Sequence, residues 1–179
     1  MNSKVKLDEF VHLHVHTEFS LVDGICRISH LIDQAESLKM SAVAMTDVSN
    51  IYGAVKFYKR CVARGIKPII GVDLAVSTDQ SVQKAPRIVL LCLNNNGYRF
   101  LCELLSSLHM DLTPGSEIVV QKSMLQRGGR DLIALSGPDG EIAQALADEN
   151  QITARKFLQE YKELFPENFY LEVTRIDAP

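Results

Sequence analysis

Residue types capable of chemistry crowd into one stretch of the 179-residue chain, from Phe10 to Gly24. Val11, Leu13 and Val15 alternate there with His12, His14 and His16. Alternate side chains of a strand leave by opposite faces. A strand over 11–15 therefore sends all three imidazoles one way and the aliphatics the other way, into packing. Neutral imidazole is the commonest protein metal ligand, and two at i, i+2 can grip one ion or bridge two. Thr17 to Ser20 then leave the strand, and Asp23-Gly24 closes the loop with a carboxylate. Imidazoles with a carboxylate suit Zn, Mn or Fe better than Ca. The same spacing also serves a solvated polar face, so taken alone it leaves both readings open.

The elements that must position these groups follow from periodicity. Ile28, Leu31, Ile32, Ala35 and Leu38 recur at helical spacing, with Ser29 as N-cap. The apolar run 42–47 is a strand buried on both faces, with Asp47 at its C-terminal end. Ala54, Phe57, Tyr58 and Cys61 mark a second helix, stopped by Gly65. Residues 69–76 form a third strand and 77–86 a polar loop; 88–93 form a fourth strand, broken by Asn94 to Gly97. Leu101, Leu104, Leu105 and Leu108 make a helical stripe, and Pro114-Gly115 marks a turn in the loop 111–116. Short strands at 118–120 and 132–136 precede a short helix around Ile142, a longer one from Ala154 to Leu164, and a last strand at 169–173. Alternating strands and helices imply an α/β fold with a parallel sheet. Periodicity does not separate a barrel from an open, doubly wound sheet.

The totals exclude several classes. The length is that of one domain with a sizeable core. Hydrophobic residues make up 46% and charged residues 23%, as in ordinary soluble domains. A net charge of -3 lacks the basic footprint of a domain that binds nucleic acid by bulk charge. No apolar run approaches the ~20 residues of a membrane span, and residues 1–9 lack the apolar core of a signal peptide. Cys26, Cys61, Cys92 and Cys102 show no CxxC spacing and read as reduced, packed thiols of a cytoplasmic protein. His30 and His109 sit at helix ends, where His109 suits the C-terminal dipole. Glu172 lies in an apolar strand and needs a partner if buried.

The string His12-Leu13-His14-Val15-His16-Thr17, followed by Ser20-Leu21-Val22-Asp23-Gly24, resembles the first motif of the PHP (polymerase and histidinol phosphatase) domain. More narrowly, the chain resembles the N-terminal PHP domain of bacterial DNA polymerase III alpha subunits over residues 9–175. The runs 52–58, 65–71, 95–98 and 165–172 carry that resemblance beyond the opening motif. It implies a distorted (β/α)7 barrel whose site lies at the C-terminal strand ends. About six strands are visible, so the barrel is expected to be truncated at its C-terminal end, and an incomplete barrel would expose apolar edge or self-associate. Residues 1–179 then form one PHP domain, an N-terminal fragment of a longer polymerase chain whose palm, fingers and thumb lie elsewhere.

PHP phosphoesterases hold two or three metals, and such clusters clamp attacking and leaving oxygens. Carried across position by position, the resemblance makes His14, His16, Asp23 and Asp73 the remaining metal ligands. His12 falls outside the ligand set. Metal-competent polymerase relatives read Thr-Asp-His-Gly-Asn where this chain has Thr46-Asp47-Val48-Ser49-Asn50, so Val48 replaces a histidine. Arg87 stands at another histidine position and Pro138 at a cysteine position; a fixed cation at a cation site is a penalty. The expectation is a degenerate cluster with no catalytic residue, holding no metal or one weakly held Zn or Mn. The parent protein would be a DNA-directed DNA polymerase using Mg at its own site. The implied role here is a scaffold docking the proofreading exonuclease (epsilon) subunit, with the other holoenzyme subunits and DNA reached through the parent chain. The alternative is a metal-dependent phosphoesterase, histidinol-phosphatase-like or an intrinsic proofreader.

Overall fold

The computed structural model describes residues 10–21, 24–77, 85–113 and 115–174. The chain falls into two compact units, one up to Asp73 and one from Leu74 onward.

In the first unit, helix α1 (Ile28–Ser37) is followed by strand β1 (Ala42–Val48), helix α2 (Ala54–Ala63) and strand β2 (Lys67–Ser77), which runs on into the second unit. β1 and β2 are parallel, in register from Ala42 with Lys67 to Val48 with Asp73. The helices bury one stripe each, Ile28, Ile32 and Ala35 from α1 and Ala54, Phe57 and Cys61 from α2. These pack with Met40, Val43, Met45 and Ile66 into one core. Gly65, at φ +69°, ends α2. Its N–H donates to the Val62 carbonyl and that of Ile66 to the Cys61 carbonyl, a pairing that needs a left-handed residue between. Burial pushes the Cys61 thiol up to about 11, so it is held protonated.

Two expectations for this unit are corrected. Residues 11–15 are extended but form no regular strand. The His12 and Val15 carbonyls accept from the Ala44 and Thr46 N–H groups at 2.8 and 2.9 Å. Three residues on one side thus span two on the other, an offset that breaks strict alternation. Thr46 Oγ1 accepts the Val15 N–H at 2.8 Å, a bond that a ladder would give to a carbonyl. Leu13 is accordingly 39% exposed rather than packed. Helix α1 is not capped by Ser29: Arg27 holds the N-cap position, and its side chain makes no cap bond. The distant Glu18 accepts the Ile28 N–H at 2.8 Å instead.

The second unit holds strand β3 (Arg87–Cys92), helix α3 (Asn95–Met110), strand β4 (Val119–Gln121), helix α4 (Lys122–Leu125) with a 3-10 turn after it, strand β5 (Leu132–Leu135), helices α5 (Glu141–Ala147) and α6 (Gln151–Leu164), and strand β6 (Phe169–Tyr170). β4 lies parallel to Ala75–Ser77 of β2, and β6 parallel to β5. β3 and β5 are antiparallel, against the expectation of a wholly parallel sheet. Periodicity carries no strand direction, and α3, β4 and α4 intervene between the two, so no single crossover helix joins them. Six strands are described, one short of the seven that the resemblance implies. The last is only two residues long, and Glu172 lies beyond it, its N–H donating to Ser136 Oγ at 3.0 Å. β3 ends just before Asn94, as expected, and Asn94 also caps α3, its side chain accepting from the Asn96 and Gly97 N–H groups. His109, in the last turn of α3, places Nδ1 2.8 Å from the Leu105 carbonyl.

A polar cluster unforeseen in the sequence lies in this unit. The buried Lys122 Nζ stands 2.5 Å from Glu141 Oε2 and 2.8 Å from Glu160 Oε2, over the rings of Phe157 and Tyr161. The Tyr161 hydroxyl donates to the same Glu141 oxygen at 2.8 Å. Burial, and then the Glu141 carboxylate, push the Tyr161 phenol well above its ordinary range, so it stays a donor. Lys122 thus ties α4 to both α5 and α6. Removing one member of a buried ion pair leaves an uncompensated charge. Lys122→Met should therefore lower stability by about 3–5 kcal/mol in urea unfolding, while Lys122→Met combined with Glu141→Gln recovers part of the loss.

Candidate metal centre

Three donor atoms converge within the first unit. His16 Nε2 lies 3.0 Å from Asp73 Oδ2, His14 Nε2 lies 3.4 Å from the same oxygen, and the two imidazole nitrogens are 3.3 Å apart. Among the described residues this is the one group of three or more His, Cys, Asp or Glu side chains that could hold an ion. Tetrahedral Zn with ligands at 2.0–2.1 Å spaces its donors about 3.3 Å apart. The spacing of the three donors matches one ion's coordination shell, in which three protein donors would leave a fourth position open. Asp73 is buried, and the two imidazoles are half-buried, so a solvent path remains.

The backbone explains the convergence. His14 and His16 sit on the extended run beside β1, and Asp73 sits on β2, the strand on β1's parallel register. The Ser49 N–H donates to the Asp73 carbonyl at 2.8 Å, tying that residue to the turn after β1. The end of β1 holds the histidine run through two polar residues. Thr46 binds the Val15 backbone, as above. Asp47, fully buried, accepts at Oδ1 from the Thr17 N–H (2.6 Å) and the Ser20 hydroxyl (2.6 Å), and at Oδ2 from the Thr17 hydroxyl (2.8 Å). Ser20 Oγ in turn accepts the Val48 N–H at 3.1 Å. The Ser20 N–H reaches back to the Thr17 carbonyl, against which Gly24 packs so closely that a Cβ there would stand 1.7 Å from the oxygen. A glycine is therefore required at 24.

Glu18 serves both helices. It caps α1 through Ile28 and meets Lys56 of α2 at 2.7 Å. The Lys56 hydrogen bond holds its carboxyl below the usual range, with help from the Ile28 N–H and against some desolvation. Cys26 is not drawn into the site as a thiolate: burial raises its thiol, and the Glu18 and Asp47 carboxylates raise it further.

The sequence-derived site residues thus separate. His14, His16 and Asp73 come together. Asp23 lies outside the described residues. Val48 stands in register with Asp73, so the position where the resemblance implies a histidine adjoins the donor triangle. Arg87 and Pro138 both belong to the second unit. Arg87 faces Glu117 at 3.5 Å, and its N–H donates to the Asp139 carbonyl at 3.3 Å, next to the exposed Pro138. His12 is exposed, with its ring edge against Phe10. Sequence reasoning missed the organising role of Asp47. The signal was present: two hydroxyl residues, Thr17 and Ser20, directly after the histidine run, and one carboxylate at the end of the next strand.

The fold is thus α/β, with two histidines beside β1 and Asp73 of β2 in register with the last residue of β1. The PHP domain family model matches residues 12–176, and the chain belongs to that family. Among curated proteins it is 43% identical over 167 residues to the DNA polymerase III subunit alpha of Pseudomonas aeruginosa, covering 93% of this chain and 14% of that protein. The corresponding Escherichia coli subunit is 33% identical over 171 residues, covering 95% and 15%. The chain therefore spans about one-seventh of the length of these relatives. A solved structure from Bifidobacterium adolescentis, assigned as a metal-dependent phosphoesterase, aligns with a TM-score of 0.44 at 16% identity, covering 90% of this chain and 46% of that one.

Asp47→Ala removes the acceptor for three hydrogen bonds in a dry setting. It should cost about 3 kcal/mol in chemical denaturation. It should also shift the His14 and His16 imidazole resonances while leaving those of His109 in place.

Proposed function

We propose that this chain is the PHP domain of the alpha subunit of a bacterial replicative DNA polymerase, and that it serves the polymerase as a non-catalytic scaffold. The observation that carries the reading is the match over 167 residues, 43% identical, to a DNA polymerase III alpha subunit. The parent protein would be a cytoplasmic DNA-directed DNA polymerase with Mg at its own nucleotidyl-transfer site, outside this segment. No helix among the described residues is long and apolar enough to cross a membrane. The scaffold would dock the proofreading exonuclease subunit, so that mispaired ends pass between neighbouring sites.

The donor set bounds the chemistry to a single ion. His14, His16 and Asp73 offer three ligands, enough for one weakly held Zn or Mn. A single bound ion supplies a Lewis acid, whereas a paired-ion site clamps both attacking and leaving oxygens. The chain's own residues here orient and hold rather than transfer protons. Asp47, Thr17 and Ser20 are committed to one another, and Val48 brings no donor. A phosphoesterase reading is favoured by the fit of the three donors to an ion and weakened by Val48.

Elemental analysis of the purified protein before and after dialysis against chelator tests this directly. At most one ion per chain is expected, lost on dialysis, with no phosphoesterase activity after loading with Mn, Zn or Fe. Two or more retained ions per chain would restore the phosphoesterase.

Val48→His adds a donor beside Asp73. It should raise Zn affinity about tenfold or more, some 1.4 kcal/mol, read by competition with a chromogenic chelator. An unchanged affinity would place position 48 outside the site.

A further inference from the structure

The solvent side of α2 carries a second apolar seam. Val55, Tyr58 and Val62 recur at i, i+3 and i+7, the spacing that seats one helix on another. The helix already buries Ala54, Phe57 and Cys61 in the unit's core, so this seam is additional to the one that folds it. Its three side chains are 61%, 54% and 54% exposed. Isolated exposed apolar residues are ordinary, but a seam at packing register marks a surface for a partner.

Charge defines the partner's chemistry. Residues 48–72 contain five basic side chains and no carboxylate, in a chain of net charge -3. Two of the five are used locally: Lys56 pairs with Glu18 at 2.7 Å, and Arg64 with Asp33 at 3.1 Å and with Glu36. Lys59 and Arg60, on the exposed part of α2 beside Tyr58, make no ion pair with any described residue. A helix with an apolar stripe and Asp or Glu along its margin would cover Val55, Tyr58 and Val62 and supply those carboxylates. Single-stranded nucleic acid could use Tyr58 and the cations. It stacks on aromatic rings, however, and two of the three seam residues are valines without a stacking face.

We propose that the Val55–Tyr58–Val62 face of α2 docks an acidic amphipathic helix of a partner protein. The inference rests on the docking role proposed above and names the surface and the chemistry of the docked segment. Its test uses the full-length protein that carries this chain, titrated with the purified proofreading exonuclease subunit at low and high salt. Val62→Glu should weaken binding by about 30-fold or more. Lys59→Glu should weaken it by about fivefold and flatten its salt dependence. Ile152→Glu, a carboxylate placed on an exposed apolar position of α6, should bind as the unsubstituted protein does. Thermal unfolding monitored in parallel should show all three variants folded, since each position is exposed. If the unsubstituted protein binds and Val62→Glu binds equally well, docking stands and this surface is wrong. If the unsubstituted protein does not bind, the docking role itself fails, and the surface assignment with it. If Val62→Glu keeps the exonuclease but loses an oligothymidylate, the face belongs to single-stranded nucleic acid.

Discussion

The buried carboxylate of Asp47 is the constraint on which the first unit depends. A charge without water is tolerable only when its oxygens are filled, and Thr17 and Ser20 fill them with one backbone and two hydroxyl donors. The same three bonds anchor the chain directly after the histidine run to the end of β1. The histidines are therefore held from both sides, through Thr46 at Val15 and through Asp47 at Thr17. The donor triangle is a consequence: once the run is pinned beside β1, the parallel register of β2 brings Asp73 to His14 and His16.

The support of the site and its donor atoms are separable. The scaffold of the site is complete, with every described hydroxyl and carboxylate around Asp47 engaged. The donor triangle itself is three atoms, with the apolar Val48 in register beside Asp73. A fold can keep its supporting hydrogen bonds after losing ligands, because those bonds stabilise the folded chain whether or not an ion is present. The apolar seam on the solvent side of α2 is likewise additional to the fold, since the helix's own packing needs only its other stripe.

The second unit is built on a different device. Lys122, buried among two carboxylates and two rings, couples α4 to α5 and α6. A buried lysine is costly alone, so the network commits those elements to one arrangement. Nothing in the local sequence marks Lys122: it sits among polar neighbours in a four-residue helix, and its partners lie 19 and 38 positions away.

By itself the sequence determined what is local. The helical stripes of α1, α2, α3 and α6, the left-handed stop at Gly65 and the apolar character of β1 were all legible, because each depends on residues within a few positions. The histidine spacing was legible as well, since motif positions are counted along the chain. The tertiary structure decided what depends on distant partners. It offset the histidine run from β1, made Asp47 an organiser, supplied the α1 cap from Glu18, turned β3 and β5 antiparallel, and set Asp73 against His16 across 57 residues. Such contacts are chosen by which groups can be buried together with their hydrogen bonds satisfied, and that condition is met only once the chain has folded.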